Sequence, residues 1–180
     1  MATPQECWDL ALESFGTADI FEQRARTLST RIRLLGFTGL VQSVLVGAVV
    51  TSFGIDFKYL KGVLVAVGAI AVAQAVLSLW SLFANWDSSL SYASESQADN
   101  TRISRRFVDL VTTQNNTVEF QVRRAEYEAR EGQDSKQHIT EKEKRRGMRA
   151  GLRQFKRACA QCQVVPASMT PTKCPVCGNP

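Results

Sequence analysis

Two stretches of the chain carry no charged residue. Residues 34–55 make one run of 22 positions, and residues 62–84 a second of 23. A bilayer core takes about 20 apolar residues as helix. One such run is compatible with a buried core helix. Two adjacent runs of spanning length, in a chain with little other apolar material to wrap them, predict two transmembrane helices. The connector, residues 56–61, is polar and six residues long, so the pair is expected as an antiparallel hairpin over 34–84. Aromatic residues stand where the interfaces fall: Phe53, Phe57 and Tyr59 at the loop end, Phe37, Trp80, Phe83 and Trp86 at the other. The first run follows 33 residues of chain and exceeds the apolar core of a signal peptide, so both helices are expected to be retained.

The flanking patterns are helical too. Thr3, Pro4 and Glu6 have the spacing of a capping box with Pro at the first helical position. Trp8, Leu12 and Phe15 give one apolar face that stops at Gly16. A second helix is expected from near Asp19, with Phe21, Ala25, Leu28, Ile32 and Leu35 stepping 4, 3, 4, 3 toward the first span. After the hairpin, residues 87–130 contain neither Pro nor Gly. Ile103, Phe107, Val111, Gln114, Val118, Val122, Ala125 and Ala129 form a seam predicting one long amphipathic helix, packed on the N-terminal helices or on a second copy. Gly132 and Asp134 mark a break, and residues 135–157 read as a basic helix or tether. The expected fold is a mainly α membrane protein in five parts: amphipathic helices over 1–33, the hairpin over 34–84, a long helix over 85–131, a basic linker over 132–158, and a C-terminal module over 159–180.

Polar residues inside the two spans fall in stripes. Thr38, Gln42, Leu45, Val49 and Ser52 share one face of the first; Val67, Ala71, Gln74, Ser78, Ser81 and Asn85 share one face of the second. At 1.5 Å per residue, Gln42 and Gln74 lie roughly 12 and 15 Å below the same surface, close enough to meet. Two readings stay open. The stripes are helix-packing faces, or they line a water-filled path in an oligomer, with Thr38, Gln42, Ser52, Gln74, Ser78 and Ser81 as candidate lining. No charged residue sits within either span, which argues against a proton relay.

Charge adds direction. The chain carries +5 overall. Residues 132–180 hold ten Lys or Arg against three Asp or Glu, a net of +7, so residues 1–131 sum to −2. Lys144, Arg145, Arg146, Arg149, Arg153, Lys156 and Arg157 form a basic run that suits a polyanion, nucleic acid or anionic lipid, or a solvated helix near a membrane. Arg24, Arg26, Arg31 and Arg33 precede the first span and Arg102, Arg105 and Arg106 follow the second, against Lys58 and Lys61 in the loop. That asymmetry puts both termini in the cytoplasm.

Cys159 and Cys162 are separated by eleven residues from Cys174 and Cys177. Each CxxC makes a knuckle that turns two thiolates toward one metal, and two knuckles complete a tetrahedral four-thiolate zinc ribbon. Pro166 and Pro171 suit a short hairpin between knuckles, and Gly178 a tight turn after the fourth cysteine. A site closed by four cysteines holds structural Zn2+. Cys7 reads as a small apolar core residue and His138 as an exposed linker residue. No nucleophile–base pair, phosphate loop or open metal site appears, so an enzyme is not expected.

The amphipathic N-terminal segment, tight two-span hairpin and long polar helix resemble the SLATT domain family of bacteria. The spacing of Cys159, Cys162, Cys174 and Cys177 resembles the mobilome-associated CxxC-x11-CxxC proteins. The resemblance implies a membrane effector in anti-phage or mobile-element conflict, proposed to form pores after a partner senses infection. The leading expectation is therefore an oligomeric effector of the bacterial inner membrane whose ribbon senses or docks a protein or nucleic-acid partner. The resemblance carries no catalytic residue onto this chain. The second reading is a membrane-anchored adaptor that recruits such a partner through the ribbon and basic linker.

Overall fold

The computed structural model describes residues 3–53, 60–113, 117–170 and 172–178. Five helices follow in order: α1 (Pro4–Phe53), α2 (Leu60–Phe83), α3 (Trp86–Thr112), α4 (Thr117–Asp134) and α5 (Glu141–Gln154), with a 3₁₀ turn at Ser135–Gln137. Among the described residues there is no strand. The chain forms two compact units, one of residues 1–24 and 92–180, the other of residues 25–91.

The first unit is a helical bundle. The capping box at the start of α1 is present: Thr3 N–H donates to Glu6 at 2.7 Å, and Glu6 N–H to the Thr3 hydroxyl at 3.2 Å. Gly16 does not stop this helix, contrary to the sequence expectation, and α1 runs through it. Gly16 instead lets α5 approach. A Cβ on Gly147 would sit 2.5 Å from the Gly16 carbonyl oxygen, and one on Gly151 3.0 Å from that of Leu12. Two glycines four apart on α5 thus give a crossing in which backbones touch, the device known from close-packed helix pairs.

The long helix expected over 85–131 is two helices. α3 ends at Thr112 and α4 starts at Thr117, where threonine and asparagine, poor helix formers, cluster in the sequence. The two fold back antiparallel, with Phe107 edge-on to Phe120 and Tyr127, and Asn100 bonded to Asp134. The fold-back splits the seam. Ile103 and Phe107 enter a core with Cys7, Ala11, Leu110 and Phe120, whereas Val118 and Val122 are exposed. Gln114 lies outside the described residues. Gly132 does not break α4; the break follows Asp134. Asp134 is buried, accepting from Tyr92 (2.6 Å), Ser96 (2.8 Å) and Asn100 (2.6 Å) and pairing with Arg130 at 3.3 Å. Burial first, then the bond to Asp134, pushes the Tyr92 hydroxyl well above its ordinary pKa. α5 starts at a second capping box, Thr140 with Glu143. Glu143 also takes a two-pronged bond from Arg24 of α1, at 2.8 and 2.9 Å.

In the second unit, α1 and α2 lie antiparallel. Gln42 Nε2 donates to the Val67 carbonyl at 2.9 Å, and Gln74 Nε2 to the Leu35 carbonyl at 3.1 Å. Seven residues back along α1, from 42 to 35, match seven forward along α2, from 67 to 74, the register of an antiparallel pair. Gly39 permits the contact, since a Cβ there would meet Gln74 Nε2 at 2.5 Å. The segment Lys61–Phe83 of α2, with hydropathy 2.3, is long and apolar enough to cross a membrane. α2 ends at Phe83, and Asn85, expected on the polar stripe, instead forms a left-handed turn (φ 49°) before α3. The connector residues Asp56, Phe57, Lys58 and Tyr59 lie outside the described residues.

Candidate metal centre

The C-terminal chain folds against α5 and α1 through two similar knuckles. In the first, Gln163 N–H donates to the Cys159 carbonyl at 2.9 Å; in the second, Gly178 N–H donates to the Cys174 carbonyl at 2.8 Å. Each bond links the first cysteine of a pair to the residue after the second, closing one tight turn. Gln163 achieves this with a left-handed backbone (φ 58°). Gly178 serves through its lack of a side chain: a Cβ would collide with the Cys174 carbonyl oxygen and lie 2.5 Å from that of Thr172. Backbone N–H groups of Cys177 and Val176 bond the Cys174 sulfur and hold its thiol down to about 6, while burial pushes Cys177 up.

The four sulfurs converge from both knuckles, all within 4.8 Å of one another. Cys159 Sγ is 4.0 Å from Cys174 Sγ, and Cys162 Sγ 3.7 Å from Cys177 Sγ. A disulfide needs about 2.05 Å, and none of the four is in one. A tetrahedron of sulfurs at about 2.3 Å from a metal has edges of about 3.8 Å. The cluster therefore has the donors and the spacing to hold a metal ion. Cys159 and Cys177 are buried with Leu12 and Leu152, beside Met148 and Phe155, so the cluster also joins the helical core. The hairpin expected between the knuckles contains no strand among the described residues.

That spacing of cysteines on that geometry has a counterpart. The family model of the mobilome CxxCx(11)CxxC protein matches residues 4–180. This chain belongs to that family. The match takes in both units, the helices and the cysteine knuckles together. No curated protein and no solved structure matches it.

The basic run that precedes the ribbon is largely occupied. Arg149 is buried and bonded into the ribbon: Nε to the Ser168 carbonyl at 2.7 Å, Nη1 to Thr172 Oγ1 at 3.2 Å and to the Cys177 carbonyl at 3.1 Å. Lys144 pairs with Glu141 at 2.8 Å, and Arg157 bonds Gln5 while lying over the Trp8 ring at 5.0 Å. Arg146, Arg153 and Lys156 remain exposed. His138 is exposed, as the sequence suggested, but its backbone is left-handed (φ 48°) and it borders a cavity of about 460 Å³ between α1, α4 and α5. Cys7 is fully buried in the α1–α3 core.

The polar residues of the second unit are only partly gathered. Gln42, Gln74 and Ser78 line one groove of about 510 Å³ together with Gly39, Ser43 and Ala75. Gln42 and Gln74 do not bond each other; each bonds a carbonyl of the facing helix. Thr38 and Ser81 hydroxyls turn back on their own helices, to Leu35 and Ser78 carbonyls. The Ser52 and Val49 side chains lie outside the described residues. Sequence reasoning missed the Arg149 clamp and the glycine crossing. The four-residue spacing of Gly147 and Gly151 was the available signal for the second; the first had none, because a buried arginine looks like any other in a basic run.

Proposed function

We propose that this mobilome protein is an oligomeric membrane effector, with a two-span hairpin over residues 34–84 and a zinc-knit helical module that docks a partner. The solvent requirement of the second unit supports the membrane reading. None of its described residues is buried, and Leu40, Val65 and Phe83 are 72%, 74% and 83% exposed. Each such side chain forgoes about 1.5–3 kcal/mol in water, and hydrocarbon removes that penalty. Arginines on the flanks favour both termini in the cytoplasm, and the family resemblance supports the bacterial inner membrane.

The observation that carries the assembly is the groove. Gln42 and Gln74 spend an N–H on the facing helix, but no donor among the described residues reaches either Oε1. In hydrocarbon an unpaired amide oxygen costs several kcal/mol, so this face calls for water or for another copy's donors. Copies with their grooves turned inward would share a wet path, the arrangement the SLATT resemblance implies. Zn2+ is the metal that four thiolates at tetrahedral spacing favour; in a closed site it supplies folding energy rather than chemistry.

The test is membrane potential in cells during induction. Ser78→Leu or Ala75→Leu fills the groove while leaving both glutamine bonds. The native chain is expected to depolarise the membrane, and these variants to insert without doing so. Depolarisation unchanged in the variants rules out the polar path. No depolarisation by any chain favours the second reading, an adaptor anchored by the hairpin. Val164, Val165 and Val176, exposed on a ribbon without aromatics, favour a protein over a nucleic acid as the partner of that adaptor.

A further inference from the structure

Arg149 is 6% exposed. Its three bonded acceptors, the Ser168 and Cys177 carbonyls and the Thr172 hydroxyl, are all neutral. A buried guanidinium needs an opposite charge as well as hydrogen bonds, or its desolvation goes uncompensated. No ion pair joins Arg149 to a carboxylate among the described residues. The four-cysteine cluster beside it would supply one if it held a metal. Four thiolates around a divalent ion carry a formal charge of about −2, and Nη1 bonds the carbonyl of Cys177, itself one of the four.

We propose that Arg149 is the counter-cation of the metal–thiolate centre, so that metal loading and docking of the ribbon onto α5 reinforce each other. This rests on the metal reading above. Without the metal the guanidinium loses the net negative centre beside it, and the docked ribbon is less favoured. With the metal bound, the net negative centre and the guanidinium neutralise each other across the α5–ribbon interface. The two effects are reciprocal by linkage: what metal contributes to docking, docking contributes to metal affinity. Arg149 is a positioning residue here, acting on the centre through charge and through Cys177.

The experiment uses the full-length chain in detergent with Co2+ as the probe. Thiolate-to-cobalt charge-transfer bands report a four-thiolate site, chelator competition reports affinity, and amide exchange reports α5. The native chain is expected to show the bands and slower exchange across Glu141–Gln154 on metal addition. Arg149→Gln should bind about 10- to 100-fold more weakly and lose the exchange response. Arg149→Lys, which keeps the charge, should recover part of the affinity. Thr172→Val, which removes one bond and no charge, should stay within about threefold of the native chain and so remains informative even if Arg149→Gln fails to fold. Equal affinity in Arg149→Gln, no advantage of Lys over Gln, or a loss in Thr172→Val as large as in Arg149→Gln would each overturn the proposal. Absence of the bands in the native chain would instead remove the metal reading beneath it.

Discussion

Glu143 holds two parts of the first unit with one carboxylate. It caps α5 through the Thr140 N–H (2.9 Å) and receives the Arg24 guanidinium from α1. The bond from Arg24, chiefly, holds its pKa down to about 2 from 4.5. A carboxylate whose folded pKa is depressed stabilises the fold above its unfolded pKa, and that stability drains away as pH falls from about 4.5 toward 2. Denaturant midpoints of the helical signal should drop between pH 6 and pH 2.5 by an amount worth about 2 kcal/mol from this group, discounted for partial screening. Glu143→Gln should lower stability at pH 6 and remove that share of the acid dependence. A slope as steep in the variant as in the native chain would move the acid sensitivity elsewhere. Arg149 and Gly178 belong to the same scale: each is set by a few atoms, three acceptors for one and two carbonyl oxygens for the other.

At the scale of elements, glycines decide whether two helices can cross. The α1–α5 crossing is backbone against backbone, and a carbonyl cannot swing aside as a side chain can. Gly147→Val is expected to destabilise the fold by about 1–3 kcal/mol through overpacking, measured by chemical denaturation. Gly132 is the control. It lies inside α4 with nothing within 4 Å of a built Cβ, so Gly132→Ala should stabilise by about 0.5–1 kcal/mol through helix propensity. A Gly147→Val variant as stable as the native chain would contradict the crossing. Gln42 and Gln74 act at this scale as well: they were legible as polar residues at matching depth, but their partners are carbonyls of the facing helix, so changing them to Leu perturbs the pairing as well as the groove.

For the whole molecule, the four-cysteine cluster is a part of the core rather than an appendage. Cys159 and Cys177 pack with Leu12 and Leu152, while Ile103, Phe107 and Phe120 form a separate cluster with Cys7 and Ala11. Metal removal by a chelator should therefore open the first cluster and spare the second. Trypsin should then cut rapidly at Arg153, Lys156 and Arg157, leaving α3 and α4 resistant; cleavage spread evenly over α3 and α4 would mean the two clusters unfold as one. The sequence by itself determined what depends on near neighbours along the chain: helix periodicity, the capping box at Thr3, the charge-free runs, and the four cysteines whose spacing already implies a knuckle pair. Only the tertiary structure decided what depends on distant segments. Gly16 continues a helix because Gly147 packs on it, the seam after Ile103 divides because α4 folds back, and Arg149 leaves the basic surface because Ser168, Thr172 and Cys177 take its donors. A residue's pattern records its own helix, whereas its partner lies 19 to 131 residues away, where no local spacing reaches.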